Sequence, residues 1–437
     1  METITKPRIA ATADRVKGVR DNSGILKSAN PTKAWIVSGI ERVWVDIRLR
    51  ILFLWSAVRC YKSLSKIRGA LHGLHSFKTR VYGSGAKWRY LKVDGKYHFS
   101  IYIPGFPSLF FNRFVEAQMN WAIPHGMPVN RFQSVHLAIT NACPLHCEHC
   151  YEWKNLNHEE TFTTDELKSI IGALQQEGCT QLHLTGGEPL VKMNRLVELV
   201  RHAAKLSECW INTSGLNLTP ENAMRLKNAG LTGVVVSLDD YRADRHNAFR
   251  GSDHAFDWVM KAVKNANDAK LVTAFSICMT RSFITEDNLL KFAELAAASG
   301  VAFVQLLEPK AVGQYEGKDV RLPDELVDLA GKFYLKINFS PEFKHFPVFV
   351  YHGYYQRKIG CMSGGNLSLY IDSAGFINAC PFCHSKSLDV HDILTGKLKV
   401  KQLKIGGCQD SIFSLGTISN HQAIPSPGAN GAAVKSI

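Results

Sequence analysis

The sequence predicts an α/β fold in which a partial (β/α)6 barrel of the TIM type carries a basic N-terminal extension and a small C-terminal cysteine-rich domain. From residue 134 onward, six strand-like segments alternate with amphipathic helical stretches. Such alternation is typical of a parallel sheet with right-handed crossovers. Six units are two fewer than the eight of a closed barrel, so we expect the barrel to be open.

The predicted strands are short and bounded by turn signals, and they cover residues 134–140, 180–185, 209–214, 232–239, 271–280 and 301–308. Several of the intervening helices have clear start signals. Thr163 and Glu166 have the spacing of a capping box. Thr219 precedes a proline at the first helical position. Thr285 precedes two acidic residues, which suit the positive end of a helix.

Before the barrel, residues 34–76 have a helical pattern and Asp94-Gly95 marks a hairpin between two strand-like runs. The whole chain is divided on these patterns into a disordered basic tail (1–33), an amphipathic helix and hairpin region (34–132), the barrel (133–315), a small cysteine-rich region (316–410) and a disordered tail (411–437).

The formal net charge of +14 comes entirely from the first hundred residues, which hold 20 Lys and Arg against 6 Asp and Glu. The rest of the chain holds 32 of each. We therefore expect a partner surface on the extension, for which anionic lipid, nucleic acid and an acidic peptide are the candidates. The neutral barrel has no basic stripe, so nucleic acid is the least favoured of the three.

The most apolar stretch, residues 43–61, is interrupted by Asp46, Arg48 and Arg50 and is too short for a membrane span. Its apolar residues recur at helical spacing. Two interpretations stay open. The helix packs on the protein's own barrel, which we favour because amphipathic helices mostly bury into cores, or residues 40–75 make peripheral contact with an anionic membrane.

Eleven cysteines are present, and residues 1–30 have no apolar core of a secretory signal. Clustered cysteines in such a chain indicate metal binding rather than disulfides. We therefore expect a cytoplasmic location. The basic helix suggests an alternative, in which the protein is peripheral to the inner face of the membrane.

Cys143, Cys147 and Cys150 follow the first predicted strand with the spacing C-x3-C-x2-C. Three thiolates in so short a loop can hold three corners of a [4Fe-4S] cluster and leave one iron open to a small molecule. Zinc is the alternative, although structural zinc sites usually bring four ligands in two separated pairs.

Other chemistry-bearing residues follow the later strands, and parallel barrels collect such residues at the carboxyl ends of their strands. Gly186, Gly187 and Glu188 follow strand two, where glycines allow a close approach of backbone to a ligand. Thr213 and Ser214 lie at the end of strand three, on the same rim. The convergence of these motifs on one rim is stronger evidence for a site than any one motif alone.

Together with the three cysteines, the segments TGGEPL (185–190), NTSG (212–215) and VSLDD (236–240) resemble those of radical S-adenosylmethionine (SAM) enzymes over roughly residues 134–310. The resemblance implies that the cysteines bind the cluster and that a SAM site includes Gly186, Gly187, Glu188, His149, Thr213, Ser214, Ser237 and Arg250. By the same resemblance, the Gly-Gly-Glu segment meets the methionine amino group and Ser237 meets the ribose or carboxylate. His149 departs from the family, where an aromatic residue usually lies by the adenine. For Arg250 a surface ion pair is an equal alternative.

Near the C-terminus, Cys361, Cys380, Cys383 and Cys408 surround a predicted hairpin at residues 373–375. This pattern resembles the auxiliary-cluster (SPASM or twitch) domain of many radical SAM enzymes, and the resemblance implies that residues 316–410 are an auxiliary iron–sulfur region. Four thiolates would saturate one further [4Fe-4S] cluster, and His384 could replace Cys408. Four cysteines with one C-x2-C pair also suit zinc.

The resemblance implies reductive cleavage of SAM to a 5′-deoxyadenosyl radical that abstracts hydrogen from a substrate, with flavodoxin or ferredoxin as the reductant. We expect a peptide or protein substrate, as in maturases. A small molecule, cofactor precursor or lipid at the membrane surface is the first alternative. A structural zinc-binding module is the alternative of another class. No acid or base for the substrate half-reaction is identifiable from the sequence.

Overall fold

The computed structural model describes residues 36–82, 88–125, 132–359, 361, 367–384, 388–400 and 403. The predicted tails at 1–33 and 411–437, and Cys408, lie outside the described residues. The strands are β1 (Leu91–Val93), β2 (Lys96–His98), β3 (Ser134–Ala138), β4 (Gln181–Thr185), β5 (Glu208–Thr213), β6 (Leu231–Ser237), β7 (Val272–Cys278), β8 (Phe303–Leu307), β9 (Val348–Tyr351), β10 (Ser368–Ile371) and β11 (Ile377–Asn378). The helices are α1 (Gly39–Cys60), α2 (Leu64–Tyr82), α3 (Leu109–Ala122), α4 (Thr164–Gln176), α5 (Met193–Ala203), α6 (Pro220–Ala229), α7 (Ala243–Arg250), α8 (Ala255–Asp268), α9 (Glu286–Ala298), α10 (Asp324–Phe339), α11 (His352–Ile359) and α12 (His391–Leu394).

The six predicted barrel strands are present as β3 to β8, adjacent in sequence order and parallel throughout. Helices α4 to α9 fill the connections. The predicted start signals are confirmed. Thr163 and Glu166 form a complete capping box. The Thr219 hydroxyl accepts from the N–H of Asn222, and Thr285 caps α9 in the same way.

The sheet is larger than the prediction. β9 adds to β8 and β10 adds to β3, both in parallel, so the sheet has eight parallel strands among the described residues. Both additions lie in the stretch assigned from sequence to the auxiliary region. They were missed because four-residue apolar runs carry too little periodicity to be distinguished from loop segments. The hairpin predicted at residues 373–375 is confirmed, since β10 and β11 pair antiparallel there.

Alternate residues of each strand face the barrel interior. The pairing register places residues of neighbouring strands side by side there, in one layer of side chains. His136 pairs with His183, His183 with Trp210, and Trp210 with Gly233. A Cβ on Gly233 would approach the Trp210 ring to 2.6 Å, so glycine makes room for the fully buried indole. The other face of the sheet packs on the helices through residues such as Val234 and Val236.

The N-terminal extension packs against the barrel at the amino ends of its strands. Leu91 and Ile101 are buried in one cluster with Trp210 and Phe303. The guanidinium of the half-buried Arg89 donates to the carbonyls of Phe343, Ile337 and Pro347, among others, between α10 and β9. The hairpin predicted at Asp94-Gly95 is confirmed, with positive φ at both turn residues.

The helix predicted over 34–76 is two helices, α1 and α2, separated at Tyr61. The Tyr61 backbone is extended and its hydroxyl donates to carbonyl groups at the end of α3, at 2.7 Å for Met119 and 2.5 Å for Ile123. One face of α1 packs on α3, while an apolar face points to solvent. Among the described residues, no helix is long and apolar enough to cross a membrane.

Candidate active site

The cysteine loop after β3 is held by its own backbone and by one asparagine. The N–H of Cys150 donates to the Cys147 carbonyl at 3.2 Å. The side chain of Asn157 accepts from the Cys143 N–H at 2.9 Å and donates to its carbonyl at 3.0 Å. Because the turn fixes the backbone, the three Cβ positions are set before any ligand binds. Cys143 and Cys150 are half-buried and Cys147 is buried.

The loop after β4 packs directly on the start of the cysteine loop. Gly187 N–H donates to the Thr140 carbonyl and Glu188 N–H to the Ala142 carbonyl, both at 2.8 Å. A Cβ on Gly187 would lie 2.3 Å from the Ala142 oxygen, and Gly186 adopts a φ of 134°. Only glycine allows the two loops to approach this closely.

Two further glycines support the cysteine loop from its other sides. A Cβ on Gly251 would touch His146 at 3.1 Å, and the Arg250 carbonyl accepts from the His146 N–H. A Cβ on Gly313 would lie 2.1 Å from the Cys150 carbonyl oxygen, within the segment after β8. The loop is therefore enclosed by backbone from three other segments, namely the loop after β4, the end of α7 and the loop after β8.

The cysteine loop after β3, the loop after β4 and the loop after β5 are here called the first, second and third rim loops. Glu188 links the second rim loop to the third. Its carboxylate accepts from the Thr213 hydroxyl at 2.6 Å, the Ser214 N–H at 2.7 Å and the Leu190 N–H at 3.0 Å. Burial raises the pKa of Glu188, although hydrogen bonds from Ser214 and Thr213 oppose the rise. The residues that the sequence assigns separately to the SAM site thus form one hydrogen-bonded unit.

Arg250 is buried, so the surface interpretation of this residue is wrong. Its guanidinium donates to Asp239 from Nε at 2.7 Å and lies 2.6 Å from it through Nη2, while Nη1 lies 3.6 Å from the Cys147 sulfur. Burial opposes the charge, but Asp239 and the sulfur outweigh it and raise the pKa of Arg250. A fixed positive charge therefore lies beside the Cys147 sulfur.

Burial raises the pKa of both Cys143 and Cys150 to about 12. Buried thiols of this kind become thiolates only beside compensating positive charge, such as bound iron. The three sulfurs in a preformed glycine-enclosed loop fit a [4Fe-4S] cluster, whose corners stand farther apart than the ligands of a single ion. Among the described residues, no three His, Cys, Asp or Glu side chains converge on one metal ion.

His149 stacks on Phe249 with ring centroids 4.8 Å apart. Burial lowers its pKa to about 4, so the ring is neutral. Its Nδ1 has no hydrogen-bond partner within the described part of the chain. A bound group could satisfy that atom, and the ring presents a flat face as an aromatic residue would.

All three cysteines and all eight residues predicted for SAM line one cavity of about 1480 Å³. Ligand cavities are typically about 300–1,000 Å³, so this one has room for a second molecule beside SAM. Ser237 reaches it from the end of β6. The direct contacts of these eight residues with SAM stay predictions.

Of the described C-terminal cysteines, one lines this cavity and two lie outside its lining. Cys380 lines its wall, and Cys383 N–H donates to the Cys380 carbonyl in a tight turn. Gln356 donates to the Cys361 sulfur at 3.8 Å. Phe382 packs edge-on against Tyr151, the residue after the third cysteine of the triad, at 6.1 Å. The auxiliary segment therefore abuts the cysteine loop.

Sequence reasoning missed a tyrosine and three histidines inside the barrel. Tyr102, delivered by the N-terminal extension, lies against the rings of His136, His183 and His352 at 4.7–6.0 Å. Its hydroxyl accepts from the side-chain amide of Gln305 at 2.6 Å. Burial lowers the pKa of His183 and His352 to about 4. Period-2 alternation marks His136 and His183 as facing one side of the sheet, but the insertion of Tyr102 has no local signal.

The radical SAM superfamily matches residues 137–296. The chain is 32% identical to the AdoMet-dependent heme synthase of Nitratidesulfovibrio vulgaris over 159 residues, which are 36% of this chain and 42% of that protein. It is 30% identical to the mycofactocin maturase MftC of Mycolicibacterium smegmatis over 258 residues, which are 57% of this chain and 64% of that one. The chain thus spans about half the length of these curated relatives.

Among solved structures, the fold is similar to that of Streptococcus suis SuiB bound to the precursor peptide SuiA. The TM-score is 0.50 at 14% sequence identity, with 65% of this chain and 69% of that one covered. At this identity the likeness concerns the fold, and it agrees with the open parallel barrel described above.

Proposed function

Because residues 137–296 form a radical SAM domain, we propose that the chain is an enzyme that cleaves SAM reductively and abstracts hydrogen from an organic substrate. The observation that carries this proposal is the convergence of the C-x3-C-x2-C triad with every residue predicted for SAM on the wall of one cavity. Such convergence is the usual mark of an active site in a parallel barrel.

Cys143, Cys147 and Cys150 would hold the cluster, which with SAM supplies the one-electron chemistry that generates a 5′-deoxyadenosyl radical. The chain's own residues prepare the site. Arg250 places a buried positive charge beside Cys147. Gly186 and Gly187 bring backbone groups to the cavity wall and keep the first two rim loops in contact. The walls of the cavity limit the access of bulk water to a reactive radical.

The relatives do not choose the substrate. The name of MftC describes a maturase, which supports a peptide or protein as predicted from sequence. The heme synthase is similar to this chain over a shorter span, and its name describes the synthesis of a small-molecule cofactor and not the maturation of a peptide. The cavity itself favours a substrate with apolar surface, because its lining beyond the rim consists mainly of residues such as Phe53, Leu71 and Leu74.

A reductant such as flavodoxin or ferredoxin would supply the electron in the cytoplasm. A second [4Fe-4S] cluster on Cys361, Cys380, Cys383 and Cys408 is part of the proposal. Its support is that the Cys380–Cys383 turn lies beside Tyr151, at the edge of the triad loop. Zinc at this second site is the alternative that metal analysis would distinguish.

The test is anaerobic. The full chain is reconstituted with iron and sulfide, given dithionite and SAM, and assayed for 5′-deoxyadenosine. The triple variant Cys143→Ala/Cys147→Ala/Cys150→Ala should lose about four irons per chain and all product. The matched control is Cys60→Ala, which removes a buried thiol of α1 far along the chain from the triad and should keep both.

Two results would contradict the proposal. One is zinc in place of iron in the protein as purified and reconstituted. The other is a triple variant that retains the same iron content and the same rate of SAM cleavage as the unaltered chain.

A further inference from the structure

Helix α1 presents a continuous apolar surface to solvent. Trp44, Ile47, Ile51, Leu54, Trp55 and Val58, here called the outer stripe, are between 44% and 62% exposed. At 3.6 residues per turn they fall within an arc of about 120° along almost the whole helix. Monomeric proteins in water seldom expose so long an apolar row, and such rows mark contact surfaces.

The fold itself fixes this exposure. The opposite face of α1 is buried through Val45, Leu49 and Ala57, which pack in the cluster shared with α3. The helix cannot rotate to cover the stripe without exposing that face. A helix that is apolar on two sides has two apolar neighbours, and the structure provides only the first of them within the described residues.

The charges around the stripe are basic. By helical position Arg50 flanks it on one side and Arg48 and Arg59 on the other. Residues 36–82 hold nine Lys and Arg, against Glu41 and Asp46 alone. Asp46 accepts from Tyr90, Glu41 pairs with Lys92 and Arg59 pairs with Glu116 of α3, which leaves this region with more cations than acids. The surface therefore complements a negatively charged partner.

The stripe is also continuous with the cavity. Val43 and Leu54 are more than half exposed, at 57% and 53%, and both line the cavity. From there its wall continues through Phe53, Leu71 and Leu74 and reaches the three cysteines. The apolar path between α1 and α2 thus connects the outer surface with the proposed site of radical chemistry.

We propose that α1 and α2 dock on an anionic lipid bilayer and that the substrate is a lipid whose apolar chain enters the cavity between these helices. The substrate part rests on the proposed function. Tryptophans beside aliphatic residues and arginines are what an interfacial helix requires, because indoles favour the headgroup region and arginines bind lipid phosphates. A peptide partner is less favoured, since helical peptides bind grooves and the stripe is one convex helix face.

The docking test uses the full reconstituted chain and two vesicles, one of pure phosphatidylcholine and one of phosphatidylcholine with phosphatidylglycerol at roughly 3:1. The protein should sediment with the second at least about tenfold more strongly. Ile47→Ser/Ile51→Ser/Trp55→Ser should abolish that preference. None of these three residues lines the cavity, so SAM cleavage should stay unchanged.

The matched control is Leu206→Ser/Met224→Ser, which removes equally exposed apolar side chains (48% and 46%) from the barrel exterior. This variant should bind anionic vesicles as the unaltered chain does. Absence of vesicle binding by the unaltered chain while it cleaves SAM would overturn docking and leave a protein surface as the stripe's partner. Loss of SAM cleavage in the unaltered chain would instead overturn the proposed function.

The entry path has its own test, with a dansylated undecanoic acid as the probe. Its fluorescence should rise on binding to the full chain, and SAM cleavage need not occur for the readout. Leu71→Trp/Leu74→Trp fills the passage between α1 and α2 and should weaken binding at least about tenfold. Equal binding by this variant and the unaltered chain would overturn the assignment of the passage as the lipid entry.

Discussion

Gly187 lies where the second rim loop meets the first, and it shows how one missing Cβ sets the geometry of the site. Gly187→Ala would place a methyl group 2.3 Å from the Ala142 carbonyl, and the rigid backbone there cannot yield by a side-chain movement. We expect this variant to lose most of the reconstituted iron. Its melting temperature should fall by several degrees, because each kcal/mol lost from the free energy of unfolding lowers the melting temperature by about 4 °C or less in a chain of this size. Iron content and thermal unfolding are the measurements.

The control for Gly187 is Gly172→Ala in α4, where a Cβ meets nothing within 4 Å. That change should leave the iron content unaltered and stabilise slightly, because alanine is the better helix former. Equal iron content in the two variants would show that the contact between the first two rim loops does not control assembly of the site.

Arg250 is the second residue whose environment decides its role. Arg250→Met leaves the Asp239 carboxylate buried without its cation, which should lower the free energy of unfolding by about 3–5 kcal/mol. It should also lower the midpoint potential of the triad's cluster, because a positive charge beside Cys147 stabilises the reduced form. Denaturant titration of the apo chain and EPR-monitored redox titration give the two values.

Arg242→Met is the matched control, since Arg242 pairs with Asp240 on the same loop but with a side chain 39% exposed. This change should lower the free energy of unfolding by less than about 1 kcal/mol and leave the midpoint potential of the cluster unchanged. If both variants shift the potential alike, the proximity of Arg250 to the Cys147 sulfur is not the cause.

At the scale of elements, Glu308 joins β8, β9 and α11. Arg357 donates to both of its oxygens at 2.7 Å, and the Tyr351 hydroxyl donates at 2.7 Å as well. Burial works to raise the pKa of Glu308, but Arg357 outweighs it and holds the pKa below the ordinary value of 4.5. One carboxylate therefore links the last parallel strand and the helix after it to β8, in addition to the backbone pairing of β8 with β9.

This lowered pKa has a definite sign in the pH dependence. The contribution of Glu308 to stability is complete above its unfolded pKa and is lost as the pH falls through its folded pKa. Glu308→Gln should cost about 2 kcal/mol at neutral pH and flatten the acid limb of stability below about pH 4.5. Urea unfolding of the apo chain at neutral pH and at several pH values below about 4.5 measures both effects.

Glu286→Gln provides the comparison, because Glu286 pairs with Lys336 at the surface with 69% of its side chain exposed. The Glu286→Gln variant should have the same free energy of unfolding as the unaltered chain at every pH measured. An acid limb that Glu308→Gln leaves unchanged would mean that other carboxylates dominate acid unfolding.

For the whole molecule, the question is whether the C-terminal cysteines hold a second cluster. Cys380→Ala/Cys383→Ala should lower the iron content from about eight to about four per chain. SAM cleavage should persist, since the triad loop keeps its own hydrogen bonds to Asn157. Iron and zinc analysis with Mössbauer spectra of the reconstituted protein decides between a cluster, zinc and an empty site.

Much of the fold follows from local patterns. The six barrel strands and their helix caps, such as the Thr163 capping box, were predicted because periodicity and capping act within a few residues. The same holds for the turn at Asp94-Gly95. β9 and β10 escaped prediction because a four-residue strand is specified by its neighbours in the sheet, and those neighbours are far away in sequence.

For the site, the sequence by itself predicted the chemistry that we propose and the rim on which its residues lie. The spacing of Cys143, Cys147 and Cys150 is a local property, and so is the position of each later motif at the end of its strand. Parallel topology then brings strand ends together without further information.

Only the tertiary structure decided what surrounds that chemistry. The burial of Arg250 against Asp239, the insertion of Tyr102 among three histidines and the exposure of the outer stripe all depend on contacts between segments distant in sequence. An apolar residue on a helix has the same local pattern whether it faces a core or solvent. Which face is covered is fixed only when the other elements have packed.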